Sequence, residues 1–195
     1  MYLYQTTHRI ISVCTALLMF FVSCKKADET QSDDRYKKSP STAIPSALKN
    51  RIWFWGGVGP ISYYDRDGHE VGNETEAARQ YSFTEVQGQG RLEFMQYLGM
   101  RNASNCVTEI YTTKKGTVAF EEADKLTFYP IEGSFKTVSK GCSESVTTRN
   151  AEGDELQPET YLWAIKISSG EPLLYIYNRT DISKQNPVFV YNFAQ

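Results

Sequence analysis

The stretch TVAFEEADKLTFYP, Thr117 to Pro130, decides the fold class. Val118 and Phe120 alternate with Thr117, Ala119 and Glu121. Beyond Ala123-Asp124, Leu126 and Phe128 alternate with Thr127 and Tyr129. A period of two puts successive side chains on opposite faces of a strand. Two such runs around a short polar turn predict an antiparallel hairpin. Working outward, the pattern repeats. RQYSFTEV places Tyr81 and Phe83 on one face, and the turn QGQG leads into RLEFMQYL, with Leu92, Phe94, Gln96 and Leu98 on one face. CVTEIYTT is expected to meet TVAFEE across a turn at Lys114-Lys115-Gly116. SFKTVSKGC follows Gly133 as a further strand. A polar loop, SESVTTRNAEGDELQPE, precedes TYLWAIKI and is expected to hold one helical turn between Glu152 and Glu159. SSGEP turns into LLYIYN, and VFVYNF ends the series. Many short antiparallel strands in sequence predict an all-β meander that closes into a barrel or a two-sheet sandwich.

IWFWGG, Ile52 to Gly57, breaks the usual alternation. Trp53 and Trp55 share one face and Ile52 and Phe54 the other, so both faces are apolar. One face suits a core. The outer face is expected to be covered by the N-terminal segment, a late loop or a partner. The chain has 195 residues, enough for one domain with a sizeable core. A net charge of −2 with no basic run argues against nucleic acid as a partner.

At the N-terminus, His8-Arg9 precedes the apolar run IISVCTALLMFFVSC. A basic start and a hydrophobic stretch of this length read as an export signal, too short to cross a bilayer comfortably as a helix. LMFFVSC resembles a bacterial lipoprotein signal. The resemblance implies residues 1–23 as signal peptide and Cys24 as the lipidated first residue, anchored in the outer membrane on its periplasmic or cell-surface side. Residues 24–46 are polar and contain Pro40 and Pro45, and they are expected as a flexible tether. Residues 47–195 are expected as the folded domain. Beyond the signal and Cys24, Cys106 and Cys142 form an even pair, and in an exported domain a disulfide is the simple reading. A metal site or reactive thiol is the alternative, without CxxC spacing to support it.

The Trp-bearing first strand and the hairpin GTVAFEEADKLTFYPIEG resemble the small lipocalin-like lipoproteins of Bacteroidetes. The resemblance spans most of residues 47–195 and implies an up-and-down barrel of about 8–10 strands. Many members of that group have no assigned function.

Chemistry-bearing motifs are sparse. YYDRDGHE gathers Asp65, Asp67, His69 and Glu70, but its Asp-Gly reads first as a turn, so no metal is expected. No Gly-x-Ser-x-Gly elbow and no phosphate-binding glycine loop is present, no cofactor is implied, and the chain is read as a non-enzyme. Aromatic side chains with polar handles remain. Trp53, Trp55, Tyr81, Phe94, Trp163 and Tyr175 are the candidate lining of a cup for a small apolar or glycan ligand. The alternative is a barrel filled by its own side chains, acting as a structural or protein-interaction module of the envelope, including a loop-type inhibitor.

Overall fold

A computed structural model describes residues 34–61 and 74–194. The signal, Cys24 and the acidic turn around His69 lie outside them. Residues 34–38 form a single helical turn, and the barrel unit begins at Ser39.

Nine strands follow in chain order: β1 (Arg51–Ile61), β2 (Glu74–Val86), β3 (Gln89–Arg101), β4 (Val107–Glu121), β5 (Lys125–Lys140), β6 (Ser145–Asn150), β7 (Glu159–Ser168), β8 (Glu171–Asn178) and β9 (Pro187–Ala194). Each strand of the ring pairs antiparallel with its neighbours. β1 pairs with both β2 and β9, and β5 with both β4 and β7. The ring therefore closes through eight strands, and β6 is a short flap on the far half of β5, paired through Ser134–Ser139. Closure leaves no unpaired edge around the ring. The up-and-down barrel is the expected fold.

Two hairpins turn through two residues. Gln87 and Gly88, with φ of 53° and 79°, join β2 to β3; Ser169 and Gly170, at 52° and 87°, join β7 to β8. Positive φ at both positions is the twist-matched hairpin turn. The turn after Glu121 is also where the alternation put it, with Lys125 opposite Glu121.

Three expectations about strands and turns are corrected. Lys114-Lys115-Gly116 is no turn: β4 runs straight through it, and the register shifts at Lys115/Gly116. A Cβ on Gly116 would lie 2.0 Å from the Tyr129 carbonyl oxygen, so this glycine serves a close strand approach at a bulge. KLTFYP and SFKTVSK fuse into one 16-residue strand, β5. The polar loop after Cys142 contains β6, whose six side chains are all exposed. With Val146 as its one apolar residue, this strand offers no alternation to read. The expected helical turn is present there at Gly153–Leu156, closed by a reciprocal Glu152–Glu155 capping box.

The last part of the expected tether belongs to the barrel. Thr42 donates its N–H to the Val118 carbonyl (3.2 Å) and accepts from the Gly90 N–H (2.8 Å), bridging β3 and β4 where they splay apart. The Thr117 hydroxyl donates to the Pro40 carbonyl at 2.7 Å. Ile44 and Leu48 then join the core. Ile44 and Leu48 are the large apolar residues of a stretch otherwise made of Ser, Thr, Ala and Pro, with no period to mark them. This end of the barrel is closed.

Candidate functional site

Inward side chains change character along the barrel. From the closed end, β2 presents Phe83 (0 % exposed), Tyr81 (4 %) and then Arg79. β3 presents Leu92 (2 %), Phe94 (5 %) and then Gln96, and β4 presents Val118 (0 %), Gly116 and then Lys114. Arg79, Gln96 and Lys114 are all part-exposed. On β1 the same step runs from fully buried Trp53 to part-exposed Trp55. One half of the barrel is thus a packed aromatic core, and at the other half inward-pointing polar groups meet solvent.

The packed half is a chain of ring contacts. Trp53 lies against Phe193 (5.9 Å between ring centres), Phe83 against Phe120 (6.2 Å), and Phe120 edge-on to Trp163 (5.7 Å). Tyr81 stacks on Tyr191 at 5.0 Å. Burial pushes the Tyr81 phenol well above its ordinary range, with Tyr191 adjacent adding to the shift. Burial likewise takes Tyr191 up to about 12. Neutral phenols roof the core.

Above that roof, the described residues form a cup of part-exposed, inward-facing side chains. Arg79 donates from Nε to Gln96 Oε1 at 2.9 Å. Its guanidinium stands 4.2 Å from the centre of the Phe189 ring and 5.0 Å from that of Phe94, positions favourable for cation–π attraction. Trp55 packs edge-on to Phe189 at 5.0 Å. Across the cup, Lys114 Nζ donates to Glu159 Oε1 at 2.8 Å, and Tyr161 Oη donates to Glu159 Oε2 at 3.2 Å. Burial and the neighbouring Glu159 raise the Tyr161 phenol. Glu159 is fully engaged.

Of the six sequence-predicted lining residues, Trp53, Trp55, Tyr81, Phe94 and Trp163 point inward. Trp53, Tyr81 and Phe94 are buried in the packed half, so Trp55 is the one nearest the open end. Tyr175 is a correction. Its cross-strand partners are Ala164 and Val190 while Ile176 takes the inward position. Tyr175 therefore sits outside the barrel, stacked on Tyr177 at 6.2 Å with Lys166 Nζ 4.6 Å over its ring. LLYIYN is apolar on both faces, so its parity could not be read. Sequence reasoning also missed Arg79, Gln96, Lys114, Glu159 and Phe189. Arg79 and Gln96 carried a legible signal, since each occupies the inward parity of its strand. Glu159 sat in an expected loop, and Lys114 in an expected turn.

Outside the barrel, Phe54, Ala78, Gln80, Met95, Tyr97 and Tyr111 line a groove of about 210 Å³, whose lining also takes in Arg79 and Gln96. Ile52 is 41 % exposed and Met95 43 %. The segment at residues 39–48 turns to the closed end and leaves Ile52 exposed and Phe54 part-exposed, so these residues do not supply the expected cover for the outer face of β1. At the tall edge of the sheet, Cys106 and Cys142 are joined, with Cα atoms 5.2 Å apart. The bridge ties the start of β4 to the end of β5, where Val107 pairs with Lys140. Among the described residues, no group of three or more His, Cys, Asp or Glu side chains is placed to hold a metal. Comparison with family models, curated proteins and solved structures finds no match.

Proposed function

We propose that this chain is a lipid-anchored envelope protein whose barrel binds a small ligand at its open end. The observation that carries this reading is the set of inward-facing but part-exposed groups, Trp55, Arg79, Gln96, Lys114 and Phe189. Apolar walls with a few convergent polar groups are the usual make-up of a small-molecule site. Lipidation at Cys24 would hold the barrel at a membrane. An apolar or glycan ligand suits the aromatic wall, because a ring face packs against either. All three tryptophans of the chain face the interior, so intrinsic fluorescence reports on it directly. Titration with panels of aliphatic amphiphiles and oligosaccharides is expected to give a saturable shift with at least one class. A flat signal across both panels would sink the reading.

The second reading is a protein-interaction module, favoured by the exposed outer groove along Phe54, Met95 and Tyr111. Uncovered apolar surface of this kind marks contact sites in many proteins. Met95→Lys separates the two readings, since it spoils the groove and leaves the cup untouched.

A further inference from the structure

Resting on that binding reading, we propose that the open end of the barrel selects an amphipathic ligand with an oxyanion head, seated on Arg79, and an apolar body against Trp55 and Phe189. The argument begins with hydrogen-bond capacity. A guanidinium carries five N–H donors in a planar fork. Arg79 uses its Nε–H on Gln96. Among the described residues no carboxylate pairs with it: Lys114 and Tyr161 already hold Glu159. Among the described residues no hydrogen bond takes up the two terminal amino groups of Arg79, whose guanidinium lies close to two aromatic rings. A fork held this way matches carboxylate or phosphate oxygens bidentately.

Charge points the same way. Arg79 and Lys114 both face this end of the barrel, and among the described residues the carboxylate that meets them there, Glu159, is held by Lys114 and Tyr161.

Depth sets the ligand's body. The Tyr81–Tyr191 stack fills the space beneath the cup. The apolar part therefore lies along Trp55 and Phe189 toward the opening and does not descend into the core. This favours a short chain or a single ring, or a longer tail that leaves through the mouth.

The test compares head groups on one tail. Octanoate, octyl phosphate, 1-octanol and octylamine are titrated into the chain carrying Cys24→Ala, with tryptophan fluorescence and calorimetry as readouts. The expected result is that at least one of the two anions binds about tenfold or more tighter than 1-octanol, the difference a charged hydrogen-bond pair makes. Whether carboxylate or phosphate wins identifies the head. Arg79→Gln is expected to erase this preference, so that octanoate, octyl phosphate and 1-octanol bind within about twofold of one another. Arg79→Lys preserves the charge and is expected to keep only part of the preference, because it loses the fork. It also serves where Arg79→Gln does not fold, as judged by circular dichroism. Equal affinity for all four heads would overturn the inference and leave the binding reading standing. An anion preference that survives both Arg79 variants would overturn the assignment to this residue. Silence from all four compounds would overturn the inference, and the binding reading as well if the broader panels are also flat.

Discussion

Trp53 shows how one residue carries both structure and legibility. Alternation in IWFWGG predicted that Trp53 and Trp55 share a face, and both point inward. Trp53 is fully buried against Phe193, so Trp53→Ala is expected to cost about 3–5 kcal/mol, read as a lower urea midpoint at unchanged slope. The buried phenols give a pH prediction. Their folded pKa values lie above the ordinary value of 10, so their stabilising effect is complete below pH 10. It is lost as pH rises toward the folded value, about 12 for Tyr191. Thermal midpoints measured from pH 8 to 11.5 should fall only above about pH 10, and a midpoint flat to pH 11.5 would contradict the buried stack. Glu155 has the opposite sign: a side-chain bond from Arg149 and the Glu152 N–H hold it down to about 2. Its contribution is present above the ordinary carboxylate range and lost as pH falls through the folded value. Arg79 marks the limit of residue-level reading. Its parity put a charge on an inward face, but only the neighbouring rings and the engaged Glu159 show what that charge is available for.

At the scale of elements, the hairpin turns and strand faces were legible because each has a local cause: a positive-φ pair, or a period of two. Features set by distant chain were not. Gly116 looks like a turn residue and is instead a contact point with Tyr129. Gly116→Ala is expected to destabilise by about 1–3 kcal/mol, since the obstacle is backbone and cannot rotate away. Residues 39–48 have the composition of a linker and act as a barrel plug. Ile44, inside the expected tether of residues 24–46, is buried in the core, so Ile44→Ala should cost about 2–5 kcal/mol, whereas a true tether would tolerate it without measurable loss. The cystine was legible from cysteine number and export. It closes a 36-residue separation, for which chain entropy gives about 4 kcal/mol. Both ends sit in exposed loops outside the core, so a Cys106→Ser, Cys142→Ser double variant should still fold, with a lowered thermal midpoint. An unfolded double variant would show that the bridge organises the barrel rather than fastening it.

For the whole molecule, barrel closure explains why so apolar a strand set needs no second sheet: each strand finds both neighbours around the ring. It also divides the interior into a core that stabilises and an end left for function, and the proposal that the chain binds a small ligand stands on that division. Membrane attachment belongs to this scale too: Cys24→Ala is expected to move the protein from the membrane to the soluble fraction, and continued lipid labelling of the variant would contradict the anchor. The central claim is that ligands enter the open end and not the outer groove. Two-dimensional NMR of the three indole N–H groups and the methionine methyls, during titration with octanoate, tests it most directly. The account predicts that the Trp55 indole signal moves saturably while the Trp53 signal and the Met95 methyl stay in place. Movement of Met95 with Trp55 unmoved would place binding on the outer face and contradict the account.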